Sequence, residues 1–343
     1  MKIAKTKSRD DIRENLFIPE VQKTYTKSVY AIQEKEKMTR KESNKMITEQ
    51  HIADLINDGI IGDLEVEILK AMAVLERATS RMVCMYLNVI GVDEKQQKIS
   101  STMRKLFNYK ILEKYIFKSN EVDSQVPMYG ITLDNIESNQ ELKDKEVFAT
   151  RKYANVIMKG YEVEPWSLRE SIKNLATTKQ VLARNQALLS FAVDISNAKE
   201  VEVNKKLSTL KTTIKPQIYL ELDVDEIIFL VIRNGQEESD WFTNQLRAYE
   251  QYYEDWQPVE ESDKKFPPQL VFLGEDDSHI LRVVKKLHEQ KWTFKNVTPL
   301  YTTDLLILNG TDTMNEIFYK ISISDEGEDT WEMKKIRYKH IKQ

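Results

Sequence analysis

The chain has 343 residues, 41% hydrophobic and 31% charged, which at roughly 100 to 200 residues per domain implies two or three domains with sizeable cores. Its 9% aromatic content and long apolar runs exclude disorder throughout, because enough surface can be buried to offset the ordering entropy. The net charge of −4 hides an asymmetry: residues 1–215 carry 36 Lys and Arg against 30 acids (net +6), and residues 216–343 carry 15 against 25 (net −10), so the two parts are expected to meet different partners.

Residues 1–59 read as a basic, partly helical extension, with sparse apolar positions such as Ile12, Leu16, Val21 and Tyr30. Such a segment is either a solvated tail or an arm that contacts phosphates. From residue 60 the pattern tightens. Asp63 is expected to cap a helix whose apolar residues Leu64, Ile68, Leu69, Met72 and Leu75 recur at helical spacing. A short second helix starts at Thr79 or Ser80 and closes at Gly91, and a third runs from about Glu94 to Tyr109 over Ile99, Met103, Leu106 and Phe107. Two strands follow, Ile111 to Phe117 and Pro127 to Leu133, separated by the polar tip 118–126. Three helices and then a hairpin is the order of a winged helix-turn-helix, placed here at 60–135.

Residues 136–195 are expected to form a linker and a long helix from Ser167 to Ile195. In 196–343, strands are placed at Lys206 to Ile214, Pro216 to Leu222, Glu226 to Arg233, Gln269 to Leu273, Thr303 to Leu308 and Glu316 to Ile323. Helices are placed at Ser239 to Trp256 and Ser278 to Glu289. The mixture gives an α/β fold class, α+β overall.

Between Lys95 and Lys118 there are seven basic residues and one acid, Glu113, the local charge expected of a phosphate-facing surface. The third helix sets Gln96, Gln97, Lys98, Ser100, Ser101, Thr102, Arg104 and Lys105 away from its apolar stripe, and Lys118 follows at the hairpin tip. These side-chain types bond to phosphate oxygens and base edges, and Arg can fork onto guanine. Double-stranded DNA is therefore the expected partner, with Arg104 towards the bases and Lys105 towards phosphates. The competing readings are a protein-docking helix and a merely solvated face. A homodimer is expected because one such module buries little DNA surface. The acidic C-terminal part would be free to bind a protein.

Other chemistries find little support. A single cysteine, Cys84, cannot build a disulfide framework or a thiolate zinc site and suits a reducing cytoplasm. No run of about 18 apolar residues offers a membrane span, and the first residues lack an apolar signal core. Nine glycines form neither a Gly-x-Gly-x-x-Gly run nor a Walker loop, and the four histidines, His51, His279, His288 and His340, are scattered. No cofactor or metal is expected. His279-Ile-Leu-Arg282 with Tyr301 or Tyr319 superficially matches a recombinase constellation, but Leu273-Gly-Glu-Asp-Asp277 before it reads as a strand leading to a helix cap.

The opening helix Leu64-Glu-Val-Glu-Ile-Leu-Lys-Ala-Met72, the segment from Ile99 to Lys114, the hairpin end Tyr129-Gly-Ile-Thr-Leu133 and the later strand, strand, helix, strand block resemble the replication-relaxation family of plasmid and other mobile-element proteins. The resemblance implies a winged helix joined to a domain similar to the PD-(D/E)xK nucleases, in which clustered acids hold a divalent metal. Here the strand start reads Pro216-Gln217, and Val231 and Arg233 stand where the next strand would carry its acids. The expectation is a degenerate, non-catalytic nuclease-like domain in a protein acting in replication, mobilisation or transcriptional control. The alternatives are a metal-dependent nuclease using Glu221 and Asp223, and an interaction scaffold. Asp223-Val-Asp-Glu226 is expected to be a turn.

Overall fold

The computed structural model describes residues 12, 25–32, 36–41, 54–55, 57–109, 111–118, 128–131, 175–258, 265–309, 314–323 and 331–342. The polar hairpin tip, most of the N-terminal extension, the linker and the first residues of the expected long helix lie outside these. The chain divides into a helical unit, residues 10–18 and 33–181, and a sheet unit, residues 1–9, 19–32 and 182–343. The whole is mixed, of α+β type. No described helix is long and apolar enough to cross a membrane.

In the helical unit, strand β1 (Lys37–Lys41) precedes helix α1 (Asp63–Leu75), strand β2 (Arg77–Thr79), helices α2 (Ser80–Val89) and α3 (Gln96–Asn108), and strands β3 (Leu112–Lys118) and β4 (Met128–Ile131). The sheet order is β1-β3-β4-β2, antiparallel throughout. Ile68, Met72 and Leu75 of α1, Val83 and Leu87 of α2, and Ile99, Met103 and Leu106 of α3 are fully buried. Each such side chain stabilises the unit by roughly 1.5 to 3 kcal/mol. The α1 N-cap is Gly62 rather than Asp63. Asp63 is the first helical residue, and the Glu65 carboxylate reaches back to accept from Gly62 N at 3.1 Å, the second half of a capping box. Thr79 Oγ1 accepts from Met82 N and caps α2, and Gly91, at φ +96°, lets the chain leave α2.

The sheet unit begins within helix α4 (Leu175–Asp194) and continues through β5 (Glu200–Glu202), β6 (Leu207–Ser208), β7 (Thr213–Ile214), β8 (Ile218–Glu221), β9 (Glu226–Val231), α5 (Asp240–Asp255), β10 (Gln269–Gly274), α6 (Asp277–Glu289), β11 (Leu300–Thr303), α7 (Asp304–Asn309), β12 (Phe318–Ile323) and β13 (Trp331–Ile336). Seven strands pair in the order β13-β12-β11-β10-β9-β8-β5. Only the central trio β9, β10 and β11 is parallel. Strands β9 and β10 read as continuous apolar runs, Ile-Ile-Phe-Leu-Val and Leu-Val-Phe-Leu, as strands covered on both faces do. Phe229 stacks on Phe191 with centroids 4.7 Å apart, and Phe272 stacks on Tyr301 at 5.7 Å.

Two expectations are corrected. Thr303 to Leu308 is not a strand: β11 ends at Thr303 and α7 begins at Asp304, because a short apolar run such as Leu305-Leu-Ile-Leu308 fits either element. Lys206 to Ile214 is two short paired strands closed by a turn, with Thr209 Oγ1 accepting from Thr212 N at 2.9 Å. The strands β1, β2, β5 and β13 were not foreseen.

Candidate nucleic-acid interface and the charged strand ends

Helix α3 buries Ile99, Met103 and Leu106, which turns Gln97, Ser101, Arg104 and Asn108, at i, i+4, i+7 and i+11, into one exposed stripe. Arg104 has no hydrogen bond or ion pair to any described residue and is free to engage a ligand. Gln96 and Ser100 are half-buried on the flank. Thr102 does not share the open face: it is buried at 8% exposure, because its position one residue before Met103 rotates it towards the core. Ser101 Oγ donates to Lys98 O at 2.8 Å, and Lys98 pairs with Glu94 one turn earlier.

Lys105 is likewise redirected. Its Nζ donates to Ile60 O at 2.6 Å and to Glu65 Oε1 at 2.7 Å, tying α3 to the start of α1. Burial pushes the Glu65 carboxyl up, but its bond to Lys105 and the nearby backbone amides outweigh this and hold it below its usual range. Lys114 lies 6.0 Å from the Phe107 ring centroid. The Lys118 side chain lies outside what is described. The basic footprint of this segment is therefore smaller than its sequence count: among the described residues Arg104 and Lys95 are exposed cations without an ion pair, and exposed Lys98 is paired with Glu94. The Asn108 end of the stripe was missed, although its spacing from Gln97 was legible.

In the sheet unit, Gln217, Val231 and Arg233 gather at one end of the strands. Gln217 Oε1 accepts from Val231 N at 2.6 Å. Arg233, fully buried, forms an ion pair with Asp304, whose Oδ2 also accepts from Ser28 Oγ at 2.6 Å. Glu275 accepts from Asn234 N at 2.9 Å, and burial keeps its carboxyl above the usual range despite the Arg233 charge.

His279 and Arg282 are both held by neighbouring groups. His279 Nδ1 accepts from Glu275 N at 3.1 Å, which leaves the proton on Nε2, 3.4 Å from Glu237 Oε2. Arg282 Nε donates to Glu237 at 3.2 Å. Burial pushes Glu237 up, yet the adjacent His279 ring N–H, its own backbone amide and Arg282 bring it down to about 2. Asp276 caps α6, accepting from His279 N at 2.8 Å. Tyr301 is a buried packing residue.

At the sheet edge, Glu200, Glu221 and Glu226 stand in register across β5, β8 and β9. The space beside them holds Lys205, whose Nζ lies 2.5 Å from Glu200 Oε2, 3.6 Å from Glu202 and 4.0 Å from the Tyr219 ring centroid. The Tyr219 hydroxyl lies within reach of both Glu226 and Glu221. Residues 222–225 form the turn between β8 and β9, closed by Leu222 N donating to Asp225 O at 2.8 Å. Asp225 accepts from Tyr338 Oη, and Asp223 lies 3.7 Å from Lys342 Nζ. Glu221, Asp223 and Asp225 thus face different partners, and among the described residues no group of three or more His, Cys, Asp or Glu is placed to hold a metal. Comparison of the chain with family models, with curated proteins and with solved structures gave no match.

Proposed function

We propose that this protein binds double-stranded DNA through the exposed stripe of α3 and performs no chemistry on it. The observation that carries the reading is Arg104, exposed and unbonded among the described residues, in line with Gln97, Ser101 and Asn108 on one helix face. The setting supports it. The order α1, β2, α2, α3 and then a β3–β4 hairpin, with β2 paired to β4, is compatible with a winged helix-turn-helix whose third helix enters the major groove. Gln and Arg in that stripe could read base edges, while Ser101 and Lys95 face phosphates.

The sheet unit is then a degenerate nuclease-like domain. Its β8, β9, α5, β10 block follows the order implied by the resemblance to the replication-relaxation family. The amide of Gln217 is bonded to backbone, and Arg233 puts a cation where a metal would need acids. A homodimer in the cytoplasm, serving replication, mobilisation or transcription on a mobile element, completes the proposal. The capture of Lys98 and Lys105 by Glu94 and Glu65 favours one second reading, a protein-docking helix. Genomic fragments retained by the purified protein at physiological salt test the first. Binding should weaken steeply as salt rises, and failure to retain any fragment at low salt would favour docking. Cleavage of supercoiled or single-stranded DNA in Mg²⁺ that disappears in a Glu221→Ala, Asp223→Ala double variant would overturn the non-catalytic reading.

A further inference from the structure

The sheet unit contains a cleft of about 530 Å³ formed by the segment after α5, the approach to β10 and the loop before β11, with Trp256, Gln257, Lys265, Phe266, Lys295 and Asn296 on its walls. Trp256 is half-buried and packs on the main core, so one aromatic wall is held in place. Phe266 is 76% exposed, a ring left open to solvent beside that wall. Lys265 and Lys295 are exposed and bonded to no described residue, as are the carboxamides of Gln257 and Asn296. Pro258 and Pro267 also line the cleft, and no described carboxylate does.

We propose that this cleft takes one nucleotide unit of single-stranded DNA, with the base stacked on Phe266 and the flanking phosphates on Lys265 and Lys295. An aromatic face beside ammonium groups is the combination that binds unpaired strands, because every base offers a π-face once it leaves the duplex stack. The two carboxamides each offer a donor and an acceptor, as a base edge requires. An acidic peptide would satisfy the lysines and the carboxamides but leave the exposed ring face without a matched partner. The net charge of −10 over residues 216–343 repels a long polyanion, so a short segment engaging one or two phosphates is the fitting ligand. This site is independent of α3 and of the duplex-binding reading.

The test uses the full chain and a fluorescein-labelled fifteen-nucleotide thymidine strand, followed by anisotropy, with a labelled duplex measured in parallel. The single strand should bind. Phe266→Ala and a Lys265→Glu, Lys295→Glu double variant should each weaken it about tenfold or more, while Arg104→Ala leaves it unchanged. Both cleft variants alter exposed side chains, so folding is preserved, and circular dichroism checks this. Competition by millimolar thymidine monophosphate would show that one nucleotide suffices, and competition by the strand alone would show that adjoining phosphates are needed. Either result supports the cleft. Absence of single-strand binding, affinity unchanged in both cleft variants, or loss in these variants of binding to a labelled poly-glutamate peptide instead would overturn the proposal. Duplex binding through α3 stands or falls separately, on Arg104→Ala.

Discussion

The guanidinium of Arg233 reaches both carboxylate oxygens of Asp304, and the two side chains are 0% and 3% exposed. The pair joins the end of β9 to the first turn of α7, and Ser28 bonds to the same carboxylate. Removing one member leaves the other charge buried and uncompensated, which costs about 3 to 5 kcal/mol. Arg233→Met should therefore lower the unfolding free energy of the sheet unit, read from urea titration, by that amount. An Arg233→Met, Asp304→Leu double variant should lose much less. A double-variant loss equal to the sum of the Arg233→Met and Asp304→Leu single losses would show that the pair is not coupled.

Arg104 and Lys105 are neighbours with opposite expected roles. Arg104→Ala should cost about 1 to 3 kcal/mol of affinity for a preferred site, with little change in stability. Lys105→Ala should cost at most about 1 kcal/mol of stability, since its pair with Glu65 is partly exposed, and should change affinity less. Gel-shift titrations with thermal melts of both variants separate these effects. Reversed outcomes would exchange the two assignments.

Cys84 is fully buried, its Sγ lies 3.3 Å from Glu94 O, and burial pushes its thiol up to about 12. A thiol so protonated is a poor nucleophile at pH 8. Native protein should resist Ellman's reagent for hours and react fully in guanidinium. Rapid labelling of the folded chain would contradict the burial of α2.

Glu237 sets an acid limit on stability. Its folded value of about 2 lies below the ordinary value of 4.5. The stabilisation is therefore fully present above pH 4.5 and is lost as pH falls from there towards 2. Glu237→Gln should flatten the fall of the denaturation midpoint across that window, at the expense of the contact with His279 and the bond from Arg282. A slope identical to that of the native chain would show that other carboxylates govern it.

The amino-acid sequence by itself determined α1, α2, α3, α5 and α6 and the β3–β4 hairpin. Their signals are local: apolar spacing along ten or more residues, Asp276 before α6, Gly91 after α2. It also placed the turn at Asp223 to Glu226 and brought Arg104 to the open side of its helix. Tertiary structure decided what depends on distant residues. Strand β2 has three residues, too few to show a period, and exists because Arg77 meets Gly130 and Thr79 meets Met128 across the sheet. The run Leu305 to Leu308 fits a strand or a helix equally until Thr303 and Asp304 are fixed at the end of β11. Lys105 looked outward by composition, yet Glu65, 40 residues earlier, claims it. Gln217 and Val231 were suspected as replaced acids from their positions, but only the antiparallel pairing of β8 with β9 brings them within 2.6 Å. Periodicity is a property of neighbours in sequence, whereas partners of this kind become neighbours only when the chain folds.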